Sequence, residues 1–326
     1  MATKLLDKPL KAFNLKSDKH PDWCPGCGDF GITNAIQQAV AGLQIAPWDL
    51  HFITGVGCSG KTSHYVQCYG VHTLHGRSLP YAIGSKLANP SLTVIAAGGD
   101  GDGYGIGAGH FVHAGRRNLD MTYVVFDNEV YGLTKGQAAP TLPQGDKPKS
   151  LAAPNPNGQI NPFALALASG YTFIARSYAY DAKHLKATLM AAMQHKGMAL
   201  VDVLQPCPTY NDLRTKDFFA EEVTFEGADV PRVYYMEDEG YNGVVENPDD
   251  LNEVNEKRLA AFNKIYEIEE RTGLGIYYQI DRPSYSDFTK EAMPLLKEYN
   301  PVDIPYYDAD MNPTTDISSG QASVVI

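Results

Sequence analysis

The stretch Gly98-Gly99-Asp100-Gly101-Asp102-Gly103 decides how this chain is read. Ahead of it, Leu92 to Ala97 is a short apolar run of the kind that forms a buried strand. Behind it, residues 107–117 read as a helix. The acidic glycine turn therefore falls at the carboxyl end of a strand, where open α/β sheets bind ligands. Glycines there let a phosphate approach the backbone, and a carboxylate can hold a cation. A second strand-like run, Thr122 to Phe126, ends just before Asp127 and Asn128. Two adjacent strand ends would set the Asp100 carboxylate and the Asn128 amide oxygen beside one cation. Carboxylates repel a pyrophosphate unless a cation intervenes, so the turn favours a metal-bridged diphosphate.

Outward from this turn, strands and helices alternate. Leu50 to Thr54 reads as a strand, after a helix whose Ile32, Ala35, Ile36, Ala39, Val40 and Leu43 form one stripe. Residues 162–169 read as a helix, 171–175 as a strand, 181–194 as a helix capped by Asp181, and 198–204 as a strand. Alternation from 50 to 204 predicts an α/β fold, a mostly parallel sheet sandwiched by helices. Residues 1–20 read as a polar, lysine-rich N-terminal arm and 21–212 as the body. Within the body, 138–159 is rich in Pro, Gly, Asn and Lys, a surface loop or lid. Residues 213–326 read as a C-terminal extension. It holds an acidic stretch (237–250), an amphipathic helix (251–272) with Val254, Phe262, Ile265 and Ile268 inward, and a strand (275–279). From Asp303 it is irregular.

Bulk properties narrow the function classes. The chain has 326 residues and a formal net charge of −11, which argues against nucleic acid as a partner. No apolar run is long enough to cross a membrane, and no apolar signal core opens the chain, so a cytoplasmic location is expected. Cys24, Cys27, Cys58, Cys68 and Cys207 are an odd and sparse set, which points to metal or redox use rather than a disulfide framework. Cys24-Pro-Gly-Cys27 makes a tight knuckle suited to a soft metal or an iron–sulfur cluster, against the plainer alternative of two reduced buried thiols. Cys207, in Gln205-Pro-Cys207-Pro, leaves a strand end on the ligand side of the sheet. Cys24, Cys27, Cys58 and Cys207 could therefore converge into a four-thiolate site, while Cys68 reads as a small buried hydrophobe.

Two further motifs compete for the same region. Gly55-Val-Gly-Cys58-Ser-Gly60-Lys61-Thr62 matches the phosphate-cradling P-loop pattern, with Asp127 ending a strand that resembles its acidic partner strand. A P-loop nucleotide hydrolase with a structural zinc is thus the alternative reading, although it leaves the acidic glycine turn unexplained. Gly103-Tyr-Gly105-Ile-Gly-Ala108 is a lone match to a dinucleotide fingerprint. His72 and His75 are either hydrogen-bonding histidines or cofactor contacts, and His75 is carried as a cofactor-site residue. Lys61 and Lys135, cations on loops near the turn, are candidates for holding a substrate carboxylate.

Together these motifs resemble the beta subunit of 2-oxoacid:ferredoxin oxidoreductases. The resemblance rests on Trp23-Cys24-Pro-Gly-Cys27-Gly, Gly55-Val-Gly-Cys58-Ser-Gly, His75-Gly-Arg77 with Ala88-Asn89-Pro90, Gly99-Asp100-Gly101-Asp102-Gly, Asp127-Asn128 with Tyr131-Gly132, and Gln205-Pro-Cys207-Pro. It implies the thiamine diphosphate-binding fold. Asp100, Asn128 and the Val130 carbonyl would ligate Mg²⁺, and Val56, Gly57, Cys58, Ser59, Gly101, Asp102, Gly132 and Leu133 would contact the cofactor. Cys24, Cys27, Cys58 and Cys207 would carry one [4Fe–4S] cluster. The implied reaction is coenzyme A-dependent oxidative decarboxylation of a 2-oxoacid to acyl-CoA and CO₂, with electrons passed to ferredoxin. Lys61 and Lys135 as two cations favour 2-oxoglutarate, with pyruvate also possible. The glutamate that activates thiamine would come from an alpha subunit in a heterotetramer.

Overall fold

The computed structural model describes residues 8–267, 271–297 and 300–303. In chain order its strands are β1 (Leu50–Thr54), β2 (Tyr69–His72), β3 (Thr93–Gly99), β4 (Met121–Asp127), β5 (Val130–Tyr131), β6 (Gln137–Ala138), β7 (Phe173–Tyr178), β8 (Met198–Leu204), β9 (Glu222–Phe225), β10 (Ala228–Pro231), β11 (Val233–Tyr235) and β12 (Thr272–Gln279). Its helices are α1 (Asp29–Gly42), α2 (Ser78–Ala88), α3 (Ala108–Arg117), α4 (Pro162–Ser169), α5 (Ala182–Gln194), α6 (Lys216–Ala220), α7 (Leu251–Tyr266) and α8 (Tyr285–Ala292). Eight strands form one sheet in the order β11-β12-β7-β8-β4-β3-β1-β2. From β7 to β2 all pairings are parallel, and β12 joins antiparallel to β7. This is the mostly parallel, helix-covered α/β fold expected from the alternation of elements.

The two faces of the sheet can be read directly from side-chain alternation. On β4, Met121, Tyr123 and Val125 join the core that holds Leu79, Phe111, Phe163, Val254 and Ile265, contributed by α2, α3, α4 and α7. Val124 and Phe126 join the opposite core, built with Ile32, Ile36 and Val40 of α1 and Leu185 and Leu189 of α5. β4 and β8 are buried along their whole length, which is why they read as continuous apolar runs rather than alternating ones.

Several boundaries differ from the sequence reading. The strand after α4 starts at Phe173, not Tyr171, and runs to Tyr178. Gly170 closes α4 in a left-handed conformation (φ 89°), and Tyr171 then plugs the core, stacked on Phe111 at 4.7 Å. α7 ends at Tyr266 rather than 272, because Thr272 opens β12. Its inward positions are Val254, Ala261 and Ile265; Phe262 lies one residue off that stripe and is exposed. Ile268 and the chain beyond Asp303 lie outside the described residues. The loop after β6 lies largely at the surface, as its composition predicts, with Asn155 as an internal anchor. Asn155 is buried, and its Nδ2 donates to the Leu142 carbonyl at 2.8 Å. Residues 213–326 do more than append, since β11 and β12 extend the main sheet.

At one point α1 meets the β7–α5 connection backbone to backbone. A methyl group on Gly31 would sit 2.1 Å from the Ala179 carbonyl oxygen. Gly31→Ala should therefore cost about 1–3 kcal/mol, as overpacked sites do, and lower the melting temperature. An unchanged melting curve would show that α1 does not approach this closely.

Candidate functional site

The parallel strands β1, β3, β4 and β8 deliver their carboxyl ends to one edge of the sheet, and pairing of Gly99 with Phe126 sets the ends of β3 and β4 side by side. After β3 the chain makes a wide helical turn over Gly101–Ile106 before entering α3. Its glycines are there because side chains press on the backbone. A Cβ on Gly103 would lie 2.0 Å from the Tyr123 hydroxyl, and one on Gly101 would lie 2.3 Å from the Tyr131 ring.

Asp100 and Asp102 point to different partners. Asp100 is buried, and its Oδ2 lies 2.5 Å from the Thr141 hydroxyl, which is also 2.8 Å from Asp127 Oδ1. One hydroxyl hydrogen can serve only one of these carboxylates, so the other contact needs a carboxyl proton. Burial accordingly pushes the Asp100 carboxyl up to about 7 and raises Asp127 well above the usual carboxylate range. A cation beside Asp100 would reverse that preference. Beneath them, Arg176 bonds Asp202 at 3.0 Å and lies 3.9 Å from Asp127, and the Tyr104 hydroxyl donates to Asp202 at 2.8 Å. Arg176, Asp202, Tyr104 and Thr141 were missed in the sequence. The available signal was a charge inside each of two apolar strands, Arg176 in β7 and Asp202 in β8.

Asp102 instead fastens loops. Its Oδ1 accepts the N–H of Val56 (3.0 Å) and of Gly76 (2.7 Å) and lies 2.8 Å from His75 Nδ1. Its Oδ2 is buried without a hydrogen-bond partner among the described residues. Gly55 and Gly98 are pressed against it: their Cβ atoms would fall 1.9 and 2.5 Å from Oδ2. The side chain of Asp102 thus holds the loop Val56–Ser59 in place, and His75 meets Tyr131 edge-on at 6.1 Å.

Asn128 accepts the Val130 N–H on Oδ1 at 3.0 Å and donates from Nδ2 to Gln205 Oε1 at 2.6 Å. Glu129 follows in a left-handed conformation (φ 64°), with its half-buried carboxylate held by Arg214 at 3.1 Å. The kink turns the chain back so that Val130 begins β5. Asp100 and Asn128 thus follow the ends of paired neighbouring strands, as the spacing predicts, and Val130 opens β5 just beyond.

Cys24, Cys27, Cys58 and Cys207 line one cavity of about 130 Å³, which Lys61, Asn128, Gly132 and Leu133 also line. Gly26 (φ 76°) closes the knuckle, and the Gly28 N–H donates to the Pro206 carbonyl at 3.1 Å, joining it to the Cys207 loop. Trp23 donates from Nε1 to the Cys58 carbonyl at 2.8 Å. Burial pushes the Cys58 thiol up to about 12 and raises Cys27 and Cys207 as well. Among the described residues, no three His, Cys, Asp or Glu side chains close on a single ion. Cys68 stands apart, packed against the α1–α5 core.

Lys61 lines the thiol cavity and is paired with Asp22 at 2.8 Å, a bond that raises its pKa. Lys135 is exposed on a tight turn (φ 78°) and does not line that cavity. The P-loop match is not built as a phosphate cradle. Ser59–His64 forms a short 3-10 turn, Thr62 is wholly buried, and Lys61 is engaged with Asp22.

Residues 55–203 match the family described as "Thiamine pyrophosphate enzyme, C-terminal TPP binding domain". Residues 207–294 match the family of C-terminal regions of the pyruvate ferredoxin oxidoreductase beta subunit. The chain is 51% identical over 300 residues to the 2-oxoacid:ferredoxin oxidoreductase subunit beta of Saccharolobus solfataricus, covering 91% of this chain and 94% of the relative. It is 42% identical over 206 residues to the 2-oxoglutarate oxidoreductase subunit KorB of Mycobacterium tuberculosis, covering 63% of this chain and 55% of the relative. Among solved structures, a 2-oxoglutarate:ferredoxin oxidoreductase from Magnetococcus marinus, with 2-oxoglutarate, coenzyme A and succinyl-CoA bound, superposes with a TM-score of 0.76 at 33% identity. That match covers 88% of this chain and 91% of the other.

The tight seat of Asp102 can be tested without any ligand assumption. Gly55→Ala drives a methyl group to 1.9 Å from Asp102 Oδ2, so the loop must lift and the fold should lose about 1–3 kcal/mol. Hydrogen exchange should rise at Val56 and Gly76; unaltered protection there would disprove the clamp.

Proposed function

The chain belongs to the family of 2-oxoacid:ferredoxin oxidoreductase beta subunits, and from that premise we propose that it carries the complete metal, cofactor-loop and iron–sulfur half of a 2-oxoglutarate-oxidising site. It is an oxidoreductase subunit with a thiamine diphosphate-binding domain. The observation that carries the proposal is a shared wall: Asn128 stands at the strand end beside Asp100 and also lines the cavity of four thiols. One small region can thus serve a diphosphate-bridging cation and an electron acceptor together.

In this reading Asp100, the Asn128 amide oxygen and the Val130 carbonyl hold Mg²⁺; hard oxygen donors from one carboxylate and neutral groups suit that ion. The buried Asp100 carboxyl, pushed up by desolvation, is the kind of group that a divalent cation stabilises in its ionised form. Val56, Gly57, Cys58, Ser59, Gly101, Gly132 and Leu133 line the cofactor, with Asp102 and His75 bracing the first of these loops from behind. Cys24, Cys27, Cys58 and Cys207, which line one cavity, hold one [4Fe–4S] cluster. When bound, thiamine diphosphate supplies the carbanion and electron sink for decarboxylation, and the cluster supplies a one-electron outlet. Lys61 exchanges Asp22 for a substrate carboxylate, and Lys135 approaches with the substrate's second carboxylate.

Two relatives named for 2-oxoglutarate support that substrate over pyruvate. Coenzyme A as acyl acceptor is supported by the solved neighbour's ligands, and ferredoxin as electron acceptor by the names of the relatives. A beta subunit implies a partner subunit, and we assign to that alpha subunit the glutamate that activates the cofactor, in a heterotetramer. No described helix is long and apolar enough to cross a membrane.

The deciding experiment is co-purification with the partner subunit and a screen of 2-oxoacids against ferredoxin or viologen. Coenzyme A-dependent reduction should be fastest with 2-oxoglutarate, and no reduction with any 2-oxoacid would end the proposal. Asp100→Ala in that complex should abolish magnesium-dependent retention of thiamine diphosphate, whereas undiminished retention would discard the metal assignment. Lys61→Ala should raise the KM for 2-oxoglutarate roughly tenfold or more, the scale of a lost charge-assisted hydrogen bond. An unshifted KM would remove Lys61 from the pocket.

A further inference from the structure

Gln205, the first residue past β8, is buried, and both ends of its amide are engaged. Oε1 accepts from Asn128 Nδ2 at 2.6 Å. Nε2 donates to Cys27 Sγ at 3.3 Å and to the Pro206 carbonyl at 2.9 Å. The direction of this bridge is set at both ends by main-chain groups that have only one role. The Val130 N–H can only donate, so the Asn128 atom that meets it at 3.0 Å is Oδ1, and Nδ2 must face Gln205. The Pro206 carbonyl can only accept, so the nitrogen of Gln205 faces it and Cys27. Flipping either amide would set oxygen against oxygen or nitrogen against nitrogen. The knuckle is also packed against this side chain: a Cβ on Gly28 would lie 2.9 Å from Gln205 Cγ.

We propose that Gln205 is a positioning residue that links the two cofactor sites, orienting the Asn128 amide oxygen for the divalent cation and giving the Cys27 sulfur a hydrogen bond that raises the reduction potential of the cluster. The proposal rests on the cofactor assignment above. An amide oxygen has two lone pairs, so Asn128 Oδ1 can accept the Val130 N–H and still hold a cation. With Nδ2 pinned by Gln205, that oxygen has one orientation. At the other end, an N–H aimed at a ligating sulfur favours the more negative, reduced cluster, and hydrogen bonds to sulfur are among the groups that set such potentials. The Gln205-Pro-Cys207-Pro stretch thus contributes two things, a thiol and the amide that tunes a different thiol. Prolines on either side of Cys207 limit how far the loop can shift if that amide is lost.

The test uses the complex with its partner subunit, as wild type, Gln205→Leu and Gln205→Met; the two variants differ in shape, so a packing fault in one does not stop the experiment. Redox titration followed by electron paramagnetic resonance reads the cluster, and Mn²⁺ titration with thiamine diphosphate present reads the metal site. With iron content unchanged, both variants should make reduction harder by on the order of tenfold in the one-electron equilibrium, about 59 mV. Mn²⁺ affinity should fall roughly tenfold, as it does when a group orienting a metal ligand is removed. A wild-type potential or wild-type Mn²⁺ affinity in an iron-loaded variant overturns the linking role. Wild-type complex that takes up no iron overturns the cofactor assignment itself, and is recognised before any variant is compared.

Discussion

Three carboxylates, Asp100, Asp127 and Asp202, are buried together under the carboxyl edge of the sheet, and the rest of the site depends on how their mutual repulsion is relieved. Ionised and unpaired, such a group would be strongly destabilising. Arg176 neutralises the deepest of them, with the Tyr104 hydroxyl completing the hydrogen bonds of Asp202 and Phe163 stacked against the guanidinium at 4.3 Å. Thr141 bridges the two nearer the surface. What remains at Asp100 is a carboxyl that burial pushes up to about 7, above the usual carboxylate range. The ends of β3 and β4 converge on that group.

The same requirement accounts for the loops. Thr141 belongs to the long connection after β6, and that connection is anchored by Asn155 and by the Arg214 pairs to Glu129 and Asp146. Thr141, in a segment that reads as a surface loop or lid, therefore reaches the carboxylates beneath the strand ends. Asp102, two residues from Asp100, makes the opposite use of a carboxylate. It collects backbone N–H groups from the loops after β1 and β2 and keeps them against the turn. Two acids in one glycine motif thus divide the labour: Asp100 bonds Thr141, and Asp102 ties down the loops.

The region after Asn211 is likewise more integral than its composition suggests. β12 pairs antiparallel with β7, the strand that carries Arg176, and the Tyr277 ring packs on Phe163 at 4.8 Å. Arg271 is held by Glu239 and Glu267 and lies over Tyr234 at 3.8 Å, which fixes the entry to β12. Support for the buried Arg176 therefore comes in part from the C-terminal region.

The sequence by itself determined six of the eight strands of the main sheet, the acidic turn at the end of β3 and the Cys24–Cys27 knuckle, because each is written in contiguous residues: apolar runs of strand length, glycines at a turn, cysteines at close spacing. It also carried the family resemblance on which the cofactor assignment rests. Only the tertiary structure decided which way each carboxylate faces, that Thr141, Arg176 and Gln205 belong to the site, and that a perfect P-loop string folds as a short turn with Thr62 buried. It also put Phe262 on the surface, one residue from the stripe that α7 buries. The physical reason is the range of the interactions. Strand and turn propensities act between neighbours in the chain, whereas Asp102 to Val56, Gln205 to Cys27 and Arg176 to Asp202 are contacts across the sheet. Their partners are chosen by which strands pair, and no local pattern records that choice.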